Sequence, residues 1–120
     1  MSTQTLGRRG EDHAAAYLVG LGWEVLERNW RCRAGEIDII ARDGTSAPPA
    51  IVFVEVKTRG STRAGHPLEA VGYRKLSGLR GLALQWLKMQ PDWYPAFRID
   101  VVGILWNRGN PELTHVRNAS

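Results

Sequence analysis

Cysteine is almost missing from this 120-residue chain, where Cys32 stands alone. A single thiol excludes an internal disulfide and argues against a thiolate zinc site, which uses several cysteines. Cys32 therefore reads as a small packing residue. Long apolar runs are missing too: nothing approaches the ~20 residues that a membrane span requires. The amino-terminal stretch MSTQTLGRRGED is polar and lacks the apolar core of a secretory signal. A cytoplasmic protein with no membrane partner is expected. Repeats, low-complexity tracts and shifts in composition are absent, so residues 1–120 are expected to form a single domain, long enough to bury roughly two-thirds of the surface its unfolded form exposes. There is no P-loop, Rossmann fingerprint or nucleophile elbow. His13, His66 and His115 are scattered, without the spacing of metal ligands.

Sixteen Lys and Arg face twelve Asp and Glu. Such a basic balance suits a polyanionic partner without identifying one. From about Thr5 to Leu21 the apolar positions Ala14, Tyr17, Leu18 and Leu21 recur at helical spacing, and the Gly20–Gly22 cluster ends the pattern. Glu11 falls at the margin of that buried stripe. Two strand candidates follow, Trp23–Trp30 and Glu36–Ala41, joined by the basic turn RCRAG. The Gly/Ser/Pro-rich DGTSAPPA leads into a third strand, IVFVEVKT. Beyond the loop RGSTRAGH, Pro67 suits the first position of a second helix, with Glu69 in its first turn. Gly72, Leu76, Leu79, Ala83, Trp86 and Leu87 form the stripe of that helix, and Pro91 stops it. Phe97–Leu105 reads as a further strand and Glu112–Val116 as an edge strand. The order α-β-β-β-α-β, with that extra edge strand, predicts an α/β fold: a mixed sheet flanked by helices, its third and fourth strands parallel.

Charge inside the third strand is the conspicuous feature. Alternate side chains share a face, so Val52, Val54 and Val56 form one side, while Ile51, Phe53, Glu55 and Lys57 form the other. On the second strand Glu36, Asp38 and Ile40 are expected opposite Ile37, Ile39 and Ala41. An antiparallel meander then lets Asp38 face Glu55. Two close carboxylates raise one another's pKa unless a cation sits between them. A hard divalent ion, Mg²⁺ or Mn²⁺, suits such oxygen donors. Lys57 would stabilise developing negative charge or orient water, and Glu11 would reach in to a water, a second metal or Lys57. Together these groups suit in-line hydrolysis of a phosphodiester. A bland alternative remains, in which Glu55 and Lys57 form a salt bridge on a solvent-facing side. Arg31, Arg33, Arg59 and Arg63 fall in the connections entering and leaving the acidic stretch, where they would clamp nucleic-acid phosphates or be ordinary solvated charges. Arg98 and Asp100 read as an intrastrand structural pair. Trp86 reads as core, and Trp93 and Trp106 as aromatics able to stack on unpaired bases.

GEIDIIARDG followed by VFVEVKTR, with GRRGEDHAAAYL before and RIDVV after, resembles the YraN family of bacterial proteins, from about Gly7 to Ile104. That family is grouped with the PD-(D/E)XK nuclease-like superfamily, and it is similar to archaeal-type Holliday-junction resolvases. The resemblance implies a restriction-endonuclease-like core, with Asp38 and Glu55 on a Mg²⁺ or Mn²⁺ ion, Lys57 as catalytic lysine and Glu11 as supporting acid. It also implies that Lys75 touches a phosphate. The implied activity is metal-dependent endonuclease action on DNA or RNA, with DNA favoured and branched DNA among the candidates. A non-cleaving nucleic-acid-binding or scaffold protein on the same fold is the alternative. RCRAG holds no counterpart of the resolvases' loop serine, so junction specificity does not carry over. A homodimer follows from the resolvase analogy alone, since one small site cuts one strand at a time.

Overall fold

The β-branched run at the centre of the chain becomes the middle strand of a five-stranded sheet. The computed structural model describes residues 5–119, in the order α1 (Leu6–Gly20), β1 (Glu24–Cys32), β2 (Gly35–Asp43), β3 (Ala50–Arg59), a 3-10 turn (Pro67–Ala70), α2 (Tyr73–Lys88), β4 (Phe97–Leu105) and β5 (Glu112–Val116). The strands lie side by side in chain order. All neighbours are antiparallel except β3 and β4, which are parallel and are linked by the helical crossover such a pair requires.

A continuous apolar strand calls for cover on both faces, and β3 has it. Val52 and Val54 pack with Ala14, Ala15 and Leu18 of α1 and with Val102 and Ile104 of β4. Ile51 and Phe53 pack against Leu79, Leu82, Ala83 and Trp86 of α2 and against Ile99. Burial of a side chain such as Phe53 contributes roughly 1.5–3 kcal/mol. Thr5 caps α1, its side-chain oxygen accepting from the Arg8 backbone N–H at 3.2 Å. Gly10 lets α1 lie close on β3, because a Cβ there would collide with the Thr58 side chain.

The second helix does not begin at Pro67. Residues 67–70 make a separate 3-10 turn, opened by His66, whose Nδ1 accepts from the Leu68 N–H at 3.2 Å. Val71 and Gly72 are extended, so α2 starts at Tyr73, and Gly72 is an exposed cap instead of a stripe residue. The break follows from packing: Leu68 settles over Gly103 of β4, where a Cβ would come within 2.8 Å of Leu68 Cγ. The alternation expected for β2 also fails. Ile37 packs with Ile40 on the α2 side, whereas Ile39 and Ala41 face α1. Opposite the change of face, between the pairs Arg28↔Ile39 and Trp30↔Ile37, Asn29 takes φ 53°, a left-handed conformation that Asn tolerates better than most residues. A register shift between Val25 and Glu27 accompanies it on β1, and such irregularities locally increase twist.

Candidate active site

The change of face in β2 opens a fork. The β2–β3 ladder runs from Asp43↔Ala50 to Ile39↔Val54 and stops there. Instead of a further backbone bond, Asp38 Oδ2 accepts from the Val56 N–H at 2.8 Å. This bond fixes the carboxylate at the point where the strands diverge. Glu55 sits next to Val56, on the α2 side of β3, and only 9% of it is exposed.

Burial is the chief cause of an unusual acid pair. Glu55 is pushed up to about 7, first by loss of water and next by the Asp38 charge, while Lys75 and Lys57 pull it down less strongly. Asp38 is pushed up to about 6, again mainly by burial; the Val56 N–H opposes the rise, and the charges of Glu11 and Glu36 add to it. Both carboxyls therefore receive less positive charge than their burial requires.

Glu11 reaches the rim from α1. Its Oε1 accepts from Arg28 Nη2 at 3.0 Å and from Asn29 Nδ2 at 2.9 Å, so β1 orients it. Lys57 is exposed at the open end of β3, on the face of Glu55. Lys75, from the first turn of α2, places Nζ 3.5 Å from Glu55 Oε1. Of the four arginines expected in connections, two are strand residues. Arg31 belongs to β1 and pairs with Glu36 at 2.9 Å, and Arg59 ends β3. The hairpin shrinks to the turn at Arg33 and Ala34 because Cys32 pairs with Gly35. Arg33 and Arg63 do lie exposed in connections. Glu36, Arg74, Lys75 and Gly78 border a groove of about 220 Å³ beside the fork.

The sequence profile of the uncharacterised protein family UPF0102 matches residues 10–104, a span that includes Glu11, Asp38, Glu55, Lys57 and Lys75. The chain belongs to this family. It is 52% identical over 118 residues to a UPF0102 protein of Clavibacter michiganensis subsp. michiganensis, covering 97% of this chain and 96% of that protein. It is 53% identical over 117 residues to a UPF0102 protein of Streptomyces griseus subsp. griseus, at 96% and 95% coverage. A UPF0102 protein of Mycolicibacterium vanbaalenii is 48% identical over 120 residues, at 99% and 96% coverage. The YraN resemblance read from the motifs is thus the family of the whole chain.

In this UPF0102 chain Arg28, Asn29 and Gly10 support the fork, and strand-by-strand reading had passed over all three. Their signals were faint: adjacent apolar residues in WEVLERNW where β1 shifts register, and a glycine beside the helical Glu. A second polar cluster lies on the α1 side of the sheet. The expected Arg98–Asp100 pair is present at 3.0 Å, and Arg98 also reaches Asp43 at 3.1 Å. His115, which had no role in the motif reading, bridges Asp100 at 2.8 Å and the Tyr17 hydroxyl at 2.9 Å. Burial tends to raise Asp43 and Asp100, but hydrogen bonds outweigh it and hold both below the usual carboxylate range: Thr45 and Arg98 act on Asp43, and His115, the Asn118 N–H and Arg98 act on Asp100.

Among the described residues no group of three or more His, Cys, Asp and Glu side chains is arranged to hold a metal ion. Mg²⁺ does not need one, since it commonly keeps several waters and binds through one or two carboxylates. Asp38, half-buried, and Glu55, buried, both short of positive charge, fit that donor set.

Proposed function

We propose that this chain is a Mg²⁺- or Mn²⁺-dependent nuclease that hydrolyses phosphodiester bonds in DNA or RNA on a restriction-endonuclease-like core. The observation that carries the reading is the convergence of Asp38 and Glu55 at the β2–β3 fork, both raised in pKa. Structural acids are normally compensated, whereas perturbed acids in an accessible place are candidates for function. Asp38 and Glu55 would hold the ion, which when bound polarises a phosphoryl oxygen and makes water more acidic. Lys57, exposed beside Glu55, meets the negative charge that develops at phosphorus. Glu11, held by Arg28 and Asn29, fixes the electrostatics of Asp38 from the other side. Arg33 and Arg63 bind backbone phosphates to either side. A dimer is needed only to cut two strands at once.

Incubation with single-stranded, flapped and branched DNA and with RNA, in Mg²⁺ or Mn²⁺, tests the reading. Cleavage that disappears in Lys57→Ala protein purified in parallel supports it. Salt-sensitive binding without Lys57-dependent cleavage on any substrate would replace it by the second reading, a non-cleaving nucleic-acid-binding protein. That second reading draws on the engagement of Glu11 by Arg28 and Asn29, which leaves only two carboxylates for an ion.

A further inference from the structure

Lys75 stands where a cation is wanted. The fork holds the carboxylates of Asp38 and Glu55, and the ammonium 3.5 Å from Glu55 Oε1 is the one basic group in ion-pair contact with either of them among the described residues. Arg28 is occupied by Glu11 and Asp12, at 3.0 and 2.6 Å, and Arg31 by Glu36. Among the described residues Asp38 has only the Val56 N–H as a hydrogen-bond donor. With both acids ionised, the one ion-paired lysine does not offset them, and Lys57 acts on Glu55 only more weakly, without ion-pair contact.

The position of Lys75 on its helix is unfavourable for any other purpose. It occupies the first turn of α2, which has no acidic residue and no side-chain cap. A cation there opposes the positive end of the helix dipole. Glu55 is what holds it, and its side chain, 51% exposed, is free to swing toward the groove that it borders with Arg74, Glu36 and Gly78.

We propose that Lys75 is the resident counter-cation of the fork and gives up that place to a divalent metal, so that metal uptake releases a lysine toward the phosphate backbone. The inference rests on the metal-dependent reading above and adds a positioning residue to it. A divalent ion neutralises both carboxylates by itself. An ammonium left alongside would then face like charge and a helix dipole of the wrong sign. The freed Lys75 joins Arg74 along the groove, and metal binding strengthens nucleic-acid binding through it. By reciprocity, nucleic acid tightens metal binding by the same factor.

Calorimetric titration of wild-type and Lys75→Met protein with CaCl₂ in mildly alkaline buffer tests the exchange without turnover. The variant should bind the ion about tenfold more tightly, as expected when a competing unit charge is removed at this range. The wild-type lysines are Lys57, Lys75 and Lys88. After reductive methylation with ¹³C-formaldehyde, the dimethylamine signal missing from the variant should move on Ca²⁺ addition and saturate with the calorimetric affinity, while that of Lys88 stays fixed. Equal or weaker Ca²⁺ binding by the variant, or a Lys75 signal that ignores the ion, overturns the exchange and leaves the metal-dependent reading standing. Failure of both proteins to bind millimolar Ca²⁺, Mg²⁺ and Mn²⁺ overturns that reading and the exchange with it.

Discussion

Replacing Glu55 by Gln should make the metal-free protein more stable at neutral and alkaline pH, although it removes a buried side chain's ion pair. The Glu55 carboxyl is raised from 4.5 to about 7, by burial first and by Asp38 next. Each pKa unit is ~1.4 kcal/mol of preference for the neutral form, so holding the group ionised costs the fold up to ~3 kcal/mol. That figure already includes the attraction of Lys75. Some relaxation around the fork lowers it, and a gain of about 1–3 kcal/mol is expected for the Gln variant, or several degrees in Tm for a domain of this size. The pH dependence is the sharper test. With its pKa raised in the folded state, native Glu55 binds more proton than unfolded Glu55 between 4.5 and about 7. Wild-type stability contributed by this group is therefore full below that window, falls as pH rises through it and stays low above it. Thermal and urea denaturation across the window should show the two proteins nearly alike at its acid end and separated at its alkaline end. Mg²⁺ should then narrow the gap by stabilising the wild type alone. A Gln variant less stable than wild type above the window, or a gap independent of pH, would refute the reasoning that the fork is short of positive charge.

Three further outcomes are expected. Lys57→Ala should abolish cleavage while changing stability by less than ~0.5 kcal/mol, as for other exposed sites, which separates chemistry from folding when rate and Tm are measured on one preparation. Gly10→Ala should destabilise by about 1–3 kcal/mol, the range for overpacking, because the new Cβ meets Thr58; equilibrium denaturation reads it, and wild-type stability would show that α1 can lift without cost. Asp100→Asn should cost about 3–5 kcal/mol by leaving Arg98 and His115 without their buried partner. It should also flatten the acid limb of the stability curve. Asp100 and Asp43 titrate low in the folded state, so the stability they supply is complete above the ordinary carboxylate range and is lost as pH falls through their lowered values.

Strand content and strand order were legible because β3 and β4 are dense apolar, β-branched runs bounded by turn residues, and β5 alternates. Phe97–Leu105 and Glu112–Val116 match the sequence reading at both ends. What failed to show depended on contacts far away in the chain. The start of α2 at Tyr73 follows from Leu68 packing on Gly103, 35 positions later, and no local propensity announces that. The switch of faces at Asp38 follows from a side chain replacing a ladder bond, with Asn29 twisting the neighbouring strand. Period-two reasoning assumes an unbroken ladder, so it misplaces a residue at the very point where the ladder parts. The candidate acids were legible only in combination, Asp38 with Glu55, Lys57 and the helical Glu11, since E-x-K alone in a strand is more often a surface salt bridge. The partners of those acids were not: Arg28, Asn29 and His115 are ordinary polar residues until the fold brings them to Glu11 and Asp100.

Both polar clusters hold carboxylates at low exposure, yet their chemistry runs in opposite directions. Asp100 is fully buried and still titrates low, because Arg98, His115 and the Asn118 N–H converge on it. Asp43 gains the same effect from Thr45 and Arg98. Such compensation is what a buried charge needs if its only task is structural. Asp38 and Glu55 titrate high chiefly because burial strips them of water, and the Val56 N–H, the half-exposed Lys75 and the more weakly acting Lys57 do not make up that loss. This sheet can evidently satisfy a buried acid when three donors are supplied. The fork therefore stands out as a place where that supply stops short, at an open end of β3 and beside a groove. If the acids there were structural, replacing each by its amide would cost stability, as at Asp100. If they await a cation, the amides relieve strain, and only the protein with acids intact gains from Mg²⁺. The Asp100→Asn and Glu55→Gln proteins, measured side by side, thus test whether the two clusters differ in purpose as they do in charge.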